Sequence, residues 1–130
     1  MSPRPGLTGT AELQVTEDVT AIAVGSGDVP VLATPNVVAL VEQASVRAVD
    51  GSLGEGETTV GVRVQIDHLA PTAVGHRVRA SAKLSKVEGR RLIFKVSVSD
   101  DRGLIAAGSV TRVVVDRQRF LEKCGEFGSP

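Results

Sequence analysis

The sequence has no tryptophan and no tyrosine, and three phenylalanines are the aromatic residues among its 130 positions. The apolar 42% of the chain must therefore build an aliphatic core of valine, alanine, leucine and isoleucine. Cys124 is the single cysteine, which excludes an internal disulfide and a cysteine-based metal site. Nothing else in the sequence implies a metal or a redox cofactor, so we expect neither.

The sequence also lacks an excess of either charge, because fifteen basic residues balance fifteen acidic ones. This balance argues against a protein that binds nucleic acid or a membrane surface through bulk charge. We find no signal peptide and no transmembrane run, and we therefore expect a cytoplasmic protein. The length suits one domain, which we place at residues 1–123. The closing stretch 124–130 has no periodicity and is expected to be a loose tail.

One long helix is predicted from Thr34 to Asp50. Thr34 suits the N-cap, Pro35 suits the first helical position, and neither Gly nor Pro interrupts the run beyond them. Apolar residues cover most of the helix circumference, so other elements should wrap around it. Glu42 falls inside this apolar arc, where packing alone would not place a carboxylate. If that carboxylate is a buried charge, Glu42→Gln should leave stability unchanged or raise it.

Five strands are predicted around this helix. The first is centred on Ala11, Leu13 and Val15, and a loop at residues 17–33, broken by Gly and Pro, separates it from the helix. The last strand is apolar on both faces and should lie inside the sheet. The four strands that follow the helix are predicted at residues 58–69, 77–87, 90–99 and 104–116.

Strict alternation in the second strand sorts its side chains into two faces. Thr59 and Gly61 fall on the face away from the helix. The helix-facing set is Val60, Val62, Val64, Ile66 and His68. One strand, a long helix and four antiparallel strands give an α+β hotdog fold, in which an antiparallel sheet of about five strands wraps around one long central helix.

Three polar residues lie where this fold would bring one helix end against the sheet: Thr34, Glu42 and His68. A helix N-terminus stabilises an oxygen that gains negative charge, a carboxylate can act as a nucleophile or base, and a histidine can carry protons. Each residue also has an ordinary explanation, respectively as an N-cap, as the rim of a subunit contact and as a half-buried histidine at a strand end.

The spacing of Thr34 and Glu42 poses a difficulty, because eight helical residues span about 12 Å. The two side chains of one chain therefore cannot simply touch. Either Glu42 leans toward the helix N-terminus while Thr34 lies in the entering loop, or a second subunit closes the gap. The sequence leaves both alternatives open.

Several motifs of this sequence resemble the fluoroacetyl-CoA thioesterase family of hotdog proteins. They are the string ATPNVVALVEQASVRAV, Gly61, the DHLAPT segment and the KVEGRRL hairpin, and they run without a gap from about residue 33 to residue 112. The resemblance implies that Thr34, Glu42 and His68 are catalytic and that Gly61 and Arg112 lie beside the substrate. It also implies a homodimer with its sites between the subunits.

The loop before the helix departs from the family pattern. The namesake enzyme carries phenylalanines there, which form a lid over its small fluorinated acyl group, whereas Gly25 and Asp28 stand at the matching positions here. We therefore expect hydrolysis of a short or medium acyl-CoA to free acid and coenzyme A, without specialisation for fluoroacetyl-CoA. The alternative is a non-catalytic acyl-CoA-binding sensor. A hotdog enoyl-CoA hydratase is less consistent, because the helix has no histidine.

Overall fold

The computed structural model describes residues 2–125 and shows the expected hotdog fold, a curved antiparallel sheet packed on one long helix. The strand order is β1-β3-β4-β5-β2, so that β1 and β2 are the edges. The strands are β1 (Thr8–Gln14), β2 (Glu57–His68), β3 (Arg77–Glu88), β4 (Arg91–Asp100) and β5 (Gly103–Asp116). The helices are α1 (Ala21–Val24), α2 (Thr34–Val49) and α3 (Arg117–Glu122), with 3-10 turns at Glu17–Val19 and Asp50–Ser52.

Helix α2 packs its apolar side on the inner face of the sheet, where it contacts β1 and β3 most extensively. Gly9 of β1 allows this close approach, since a Cβ at that position would overlap the backbone of Ala44 and Ala48 in α2. Strand β5 lies between β4 and β2, as its two apolar faces predict. The core is aliphatic apart from Phe94, which is fully buried.

The sheet covers only one side of α2. Ala39, Gln43 and Val46 are exposed on the opposite side, and Glu42 is partly exposed beside them. The sheet thus wraps the apolar side of the helix, as expected, and leaves this opposite strip exposed in one chain. Within residues 2–125, no helix is long and apolar enough to span a membrane.

The start of α2 differs from the prediction. Its N-cap is Ala33 and no side chain caps it, so Thr34 is the first helical residue and Pro35 the second. The segment before it is also more ordered than the predicted loop. It contains α1, whose first turn Thr20 caps by accepting from the Ala23 N–H at 3.2 Å, and a bridge from Thr20 to Leu32.

Strand β2 contains a bulge that strict alternation does not predict. Gly61 pairs with Arg112 and Arg63 pairs with Thr111, so Val62 is an extra residue, and its side chain is 50% exposed. Thr59 therefore faces the helix and is buried, instead of lying on the outer face. The outcome is one helix-facing row that includes Thr59, Gly61, Val64, Ile66 and His68.

The end of the described chain adds a helix that the sequence analysis does not predict. Asp116 caps α3 by accepting a hydrogen bond from the backbone N–H of Arg119 at 3.0 Å. The helix ends at Glu122, close to the expected domain boundary at residue 123. Of the expected tail, Cys124 and Gly125 follow α3, and residues 126–130 lie outside the described residues.

Candidate active site

Thr34 and His68 form the first part of the site, where the start of α2 meets the end of β2. The Thr34 Oγ1 and His68 Nδ1 atoms are 2.8 Å apart, which is a hydrogen bond. Because Thr34 is not used as an N-cap, its hydroxyl is available for this contact. The other ring nitrogen of His68, Nε2, is buried and has no hydrogen-bond partner within residues 2–125.

Burial lowers the pKa of His68, and an interaction with the Ala70 backbone partly opposes that shift. The imidazole is therefore mostly neutral near pH 7. A neutral ring has one nitrogen that can accept a proton. The pair with Thr34 thus supplies a hydroxyl and a proton acceptor at one point.

A groove of about 310 Å³ opens beside this pair. Apart from Thr34 and His68, the residues of 2–125 that line it have short or aliphatic side chains, and none of them is a phenylalanine. The remaining lining residues are Ala21, Ser26, Gly27, Val29, Val31, Leu32, Leu69, Ala70 and Pro71. Such a groove suits an apolar chain of modest size.

Glu42 and Arg112 form the second part of the site. Arg112 Nη1 donates to Glu42 Oε2 at 2.9 Å, while Nε and Nη2 donate to the hydroxyl and the carbonyl of Thr59 at 2.9 and 3.0 Å. Arg112 is buried, and burial lowers its pKa, whereas the Glu42 carboxylate raises it. Three donors of the guanidinium are thus fixed, and the carboxylate of Glu42 is held by one of its two oxygens.

Gly61 makes room for this carboxylate. A Cβ at position 61 would overlap Glu42 Oε2 and would lie 3.2 Å from Arg112 Nη1. The bulge at Val62 turns Gly61 toward the helix, so Glu42 can lie directly against the β2 backbone. The resemblance placed Gly61 beside the substrate although strict alternation placed it on the outer face, and the bulge removes this conflict.

The two parts are separate within one chain. Thr34 and His68 line one groove, and Glu42 and Arg112 line another of about 420 Å³ with Ala39, Gln43, Val46 and Arg47. The alternative that Thr34 lies in the entering loop is wrong, since Thr34 is helical. Within the described residues, no three His, Cys, Asp or Glu side chains cluster closely enough to hold a metal ion.

The sequence model of the FlK family, fluoroacetyl-CoA-specific thioesterase, matches residues 15–118 of this chain. The chain belongs to this thioesterase family. It is 39% identical over 93 residues to the fluoroacetyl-CoA thioesterase of Streptantibioticus cattleyicolor, a match that covers 72% of this chain and 67% of that one.

Solved structures agree with this family membership. A hypothetical protein of Thermus thermophilus, a member of the thioesterase superfamily, matches with a TM-score of 0.89 and 30% identity, over 96% of this chain and 93% of that chain. A point mutant of FlK, solved in complex with fluoroacetate and CoA, matches with a TM-score of 0.83 and 33% identity. That match covers 91% of this chain and 99% of the mutant's chain.

Thr59 is the site residue of this FlK-family protein that the sequence analysis misses. It accepts two hydrogen bonds from Arg112 and so holds the guanidinium that contacts Glu42. A usable signal was present, because a glycine inside a strand pattern often marks a bulge, and Gly61 stands two residues further on. A bulge at that point reverses the face that alternation assigns to Thr59.

Proposed function

We propose that this protein is an acyl-CoA thioesterase that hydrolyses short or medium acyl-CoA thioesters to the free acid and coenzyme A. Thioester hydrolysis is the reaction of the family to which the chain belongs. The observation that carries the proposal is the Glu42 carboxylate, which Arg112 holds by Oε2 against the β2 backbone at Gly61. This arrangement leaves Oε1 for the reacting groups.

In the proposed reaction, Glu42 Oε1 either attacks the thioester carbonyl or removes a proton from the attacking water. If water attacks, its oxygen forms the C–O bond as the C–S bond breaks. If Glu42 attacks, the C–O bond forms to Oε1 as the C–S bond breaks, and water then hydrolyses the resulting anhydride to release the acid and restore the carboxylate. The proton taken from water is delivered to the sulfur of the departing coenzyme A, and neutral His68 is the group suited to carry it. Thr34 orients the acyl carbonyl at the start of α2, where the helix dipole favours negative charge on oxygen.

This reaction needs both parts of the site, so we propose that the working protein is a homodimer with shared sites. Strand β2 is a sheet edge, and within residues 2–125 no strand pairs with its outer side. Antiparallel pairing of two β2 strands about Gln65 would set Gly61 opposite His68 of the partner subunit, once the extra residue Val62 is counted. Glu42 of one subunit would then act with Thr34 and His68 of the partner subunit.

The proposed substrate range follows from the groove beside Thr34. Its lining is largely aliphatic. By the family resemblance, Gly25 and Asp28 stand at the positions of the lid phenylalanines. A difference of one fluorine offers little binding energy to such a groove. Ordinary short or medium acyl groups are therefore the proposed substrates. A cytoplasmic location stays a prediction from the sequence.

The substrate proposal is tested by measuring kcat/KM for fluoroacetyl-, acetyl-, butyryl- and phenylacetyl-CoA. Each value is divided by the hydroxide-catalysed rate of the same thioester, which removes the intrinsic reactivity of the fluorinated carbonyl. We expect turnover of the ordinary acyl-CoAs and no large preference for fluoroacetyl-CoA after this correction. A large surviving preference contradicts the substrate range, and binding of acyl-CoA without any turnover favours the sensor.

The shared site is tested by mixing two variants of low residual activity, Glu42→Gln and His68→Asn, under conditions in which subunits exchange. If each site takes Glu42 from one subunit and His68 from the other, each mixed dimer has one intact site. Statistical mixing then restores about a quarter of the wild-type activity. If both residues come from one subunit, no mixed dimer has an intact site and activity stays lost. Sedimentation should give about 27 kDa, twice the 13.5 kDa of one chain.

A further inference from the structure

A buried carboxylate outside the proposed reaction lies at the end of β4. The side chain of Asp100 is 1% exposed and accepts three hydrogen bonds. The donors are the Thr72 hydroxyl at 2.9 Å, the Arg102 backbone N–H at 2.8 Å and Arg102 Nη2 at 3.3 Å. These bonds lower the pKa of Asp100 despite its burial, so the carboxylate is ionised near pH 7.

Thr72 lies in the first part of the loop between β2 and β3, residues 69–73, which begins directly after His68. The loop is held to β5, because the N–H groups of Leu69 and Ala70 donate to the Ile105 carbonyl at 2.7 and 3.2 Å. Arg102 also donates to the carbonyl of Pro71. The hydroxyl of Thr72 is the contact between this loop and Asp100, and Thr72 is fully buried.

The same loop also holds the chain that leads to Thr34. The Leu32 N–H donates to the Thr72 carbonyl at 2.9 Å, and Val31 forms a bridge with Ala73. Leu32 lies two residues before Thr34. Thr72 therefore contacts Asp100 through its side chain and the approach to α2 through its backbone.

We propose that Asp100 is a positioning residue that, through Thr72, sets the distance between Thr34 and His68. Residues 69–73 continue directly from His68 and are hydrogen-bonded to the segment that leads to Thr34. A shift of Thr72 therefore moves His68 relative to Thr34. A shift of about 1 Å would break a 2.8 Å hydrogen bond, and misplacement of that size can cost on the order of 100-fold in rate. The kinetic part of this proposal rests on the proposed thioesterase function.

The test compares Thr72→Val, which removes the hydroxyl at nearly constant shape, with Thr72→Ser, which keeps it. We expect Thr72→Val to lower kcat about tenfold or more while KM changes little, and Thr72→Ser to restore kcat. Asp100→Asn keeps one amide oxygen that can accept from the Thr72 hydroxyl, so it should lower kcat less than Thr72→Val does. Asp101→Asn is the matched control, since the neighbouring Asp101 carboxylate is exposed and pairs with the exposed His76 at 3.5 Å.

A double variant separates positioning from general stability. If Thr72 acts through the Thr34–His68 pair, Thr72→Val should lower kcat no further when His68→Asn is already present. An equal loss of kcat in both backgrounds, or full kcat in Thr72→Val, overturns the proposal.

A readout without turnover keeps this test distinct from the proposed function. The ring ¹⁵N resonances of His68 report its tautomer and its contact with Thr34, and His76→Gln assigns them. We expect the chemical shifts of these resonances to differ from wild type in Thr72→Val and to match wild type in Thr72→Ser and Asp101→Asn. Unchanged resonances in a folded Thr72→Val protein overturn the positioning role, whereas a wild-type protein that turns over no acyl-CoA contradicts only the proposed function.

Discussion

Replacing Glu42 with glutamine separates the chemistry of the carboxylate from its shape. The glutamine side chain has the same size, and its amide oxygen can still accept from Arg112 Nη1. The substitution removes the negative charge and the basicity of the group. Both consequences can be estimated, because the neighbours of Glu42 in the described chain are known: Arg112 is its ion-pair partner at 2.9 Å, and Gly61 lies against it.

The stability estimate changes sign once this ion pair is considered. From the sequence alone, loss of a buried charge was expected to leave stability unchanged or to raise it. In the structure, the Arg112 side chain is only 9% exposed, so Glu42→Gln leaves a buried cation without its counter-charge. Removing one partner of a fully buried pair costs about 3–5 kcal/mol. Glu42 is 34% exposed and its hydrogen bond can persist, so we expect about 1–2 kcal/mol and a Tm several degrees lower.

Glu42→Gln should also lower turnover strongly. A general base or nucleophile contributes on the order of 100-fold or more, and the amide of glutamine supplies neither function. The assay follows release of the coenzyme A thiol with a thiol-reactive chromophore. It is run in a Cys124→Ser background, because the exposed Cys124 thiol would also react.

The control for this prediction is Glu57→Gln, which removes a carboxylate that pairs with Arg90 at 3.4 Å and lines neither groove. It should keep turnover within about twofold. Two results would refute the reasoning about Glu42. A Glu42→Gln protein that turns over normally per folded molecule would make Glu42 a packing residue, and one that is more stable than wild type would mean that Arg112 is compensated in another way.

Three further predictions concern the neighbours of these groups. Gly61→Ala should lower turnover about tenfold or more by displacing Glu42, whereas Gly51→Ala, which meets nothing within 4 Å, should not. Thr59→Val should lower the free energy of unfolding by about 1–3 kcal/mol in denaturant titrations, since Arg112 Nε loses its acceptor, and Thr59→Ser should restore it. The lowered pKa of His68 should keep turnover constant as pH falls past 6.5, with the decline at lower pH. The free energy of unfolding should decrease as pH falls below 6.5, because His68 of the unfolded chain binds a proton there while His68 of the folded chain does not. His68→Asn should remove that decrease.

Much of the fold could be predicted from the sequence, because the signals were local and repeated. The aliphatic periodicity of α2 and the alternation in β3 and β4 gave elements whose bounds agree with the structure within a few residues. The family resemblance rested on motifs in α2, in β2 and the segment after it, and in the hairpin of β3 and β4, and it is confirmed. The roles of Thr34, Glu42, His68, Gly61 and Arg112 stay predictions, although the structure places each of them in one of two close groups.

The start of α2 shows why some local signals mislead. Threonine before Pro35 fits an N-cap, and from the sequence nothing competes for its hydroxyl. In the folded chain His68 competes for it, from 34 residues away. The helix begins directly after Ala33, without a side-chain cap, and Thr34 is its first residue. A propensity that describes neighbours in sequence cannot anticipate a partner that only the tertiary structure supplies.

The bulge in β2 shows how the missed part of the site could be inferred. Arg112 lies on the inner face of β5 between the buried residues Val110 and Val114, and a buried guanidinium must satisfy its N–H donors. Without a bulge, alternation leaves Thr59 on the outer face, and Arg112 would lose two of its three hydrogen bonds. The extra residue Val62 returns Thr59 and Gly61 to the inner face. The bulge thus supplies the hydrogen-bond acceptors of the buried Arg112. Arg112 and Gly61 together fix the position of Glu42.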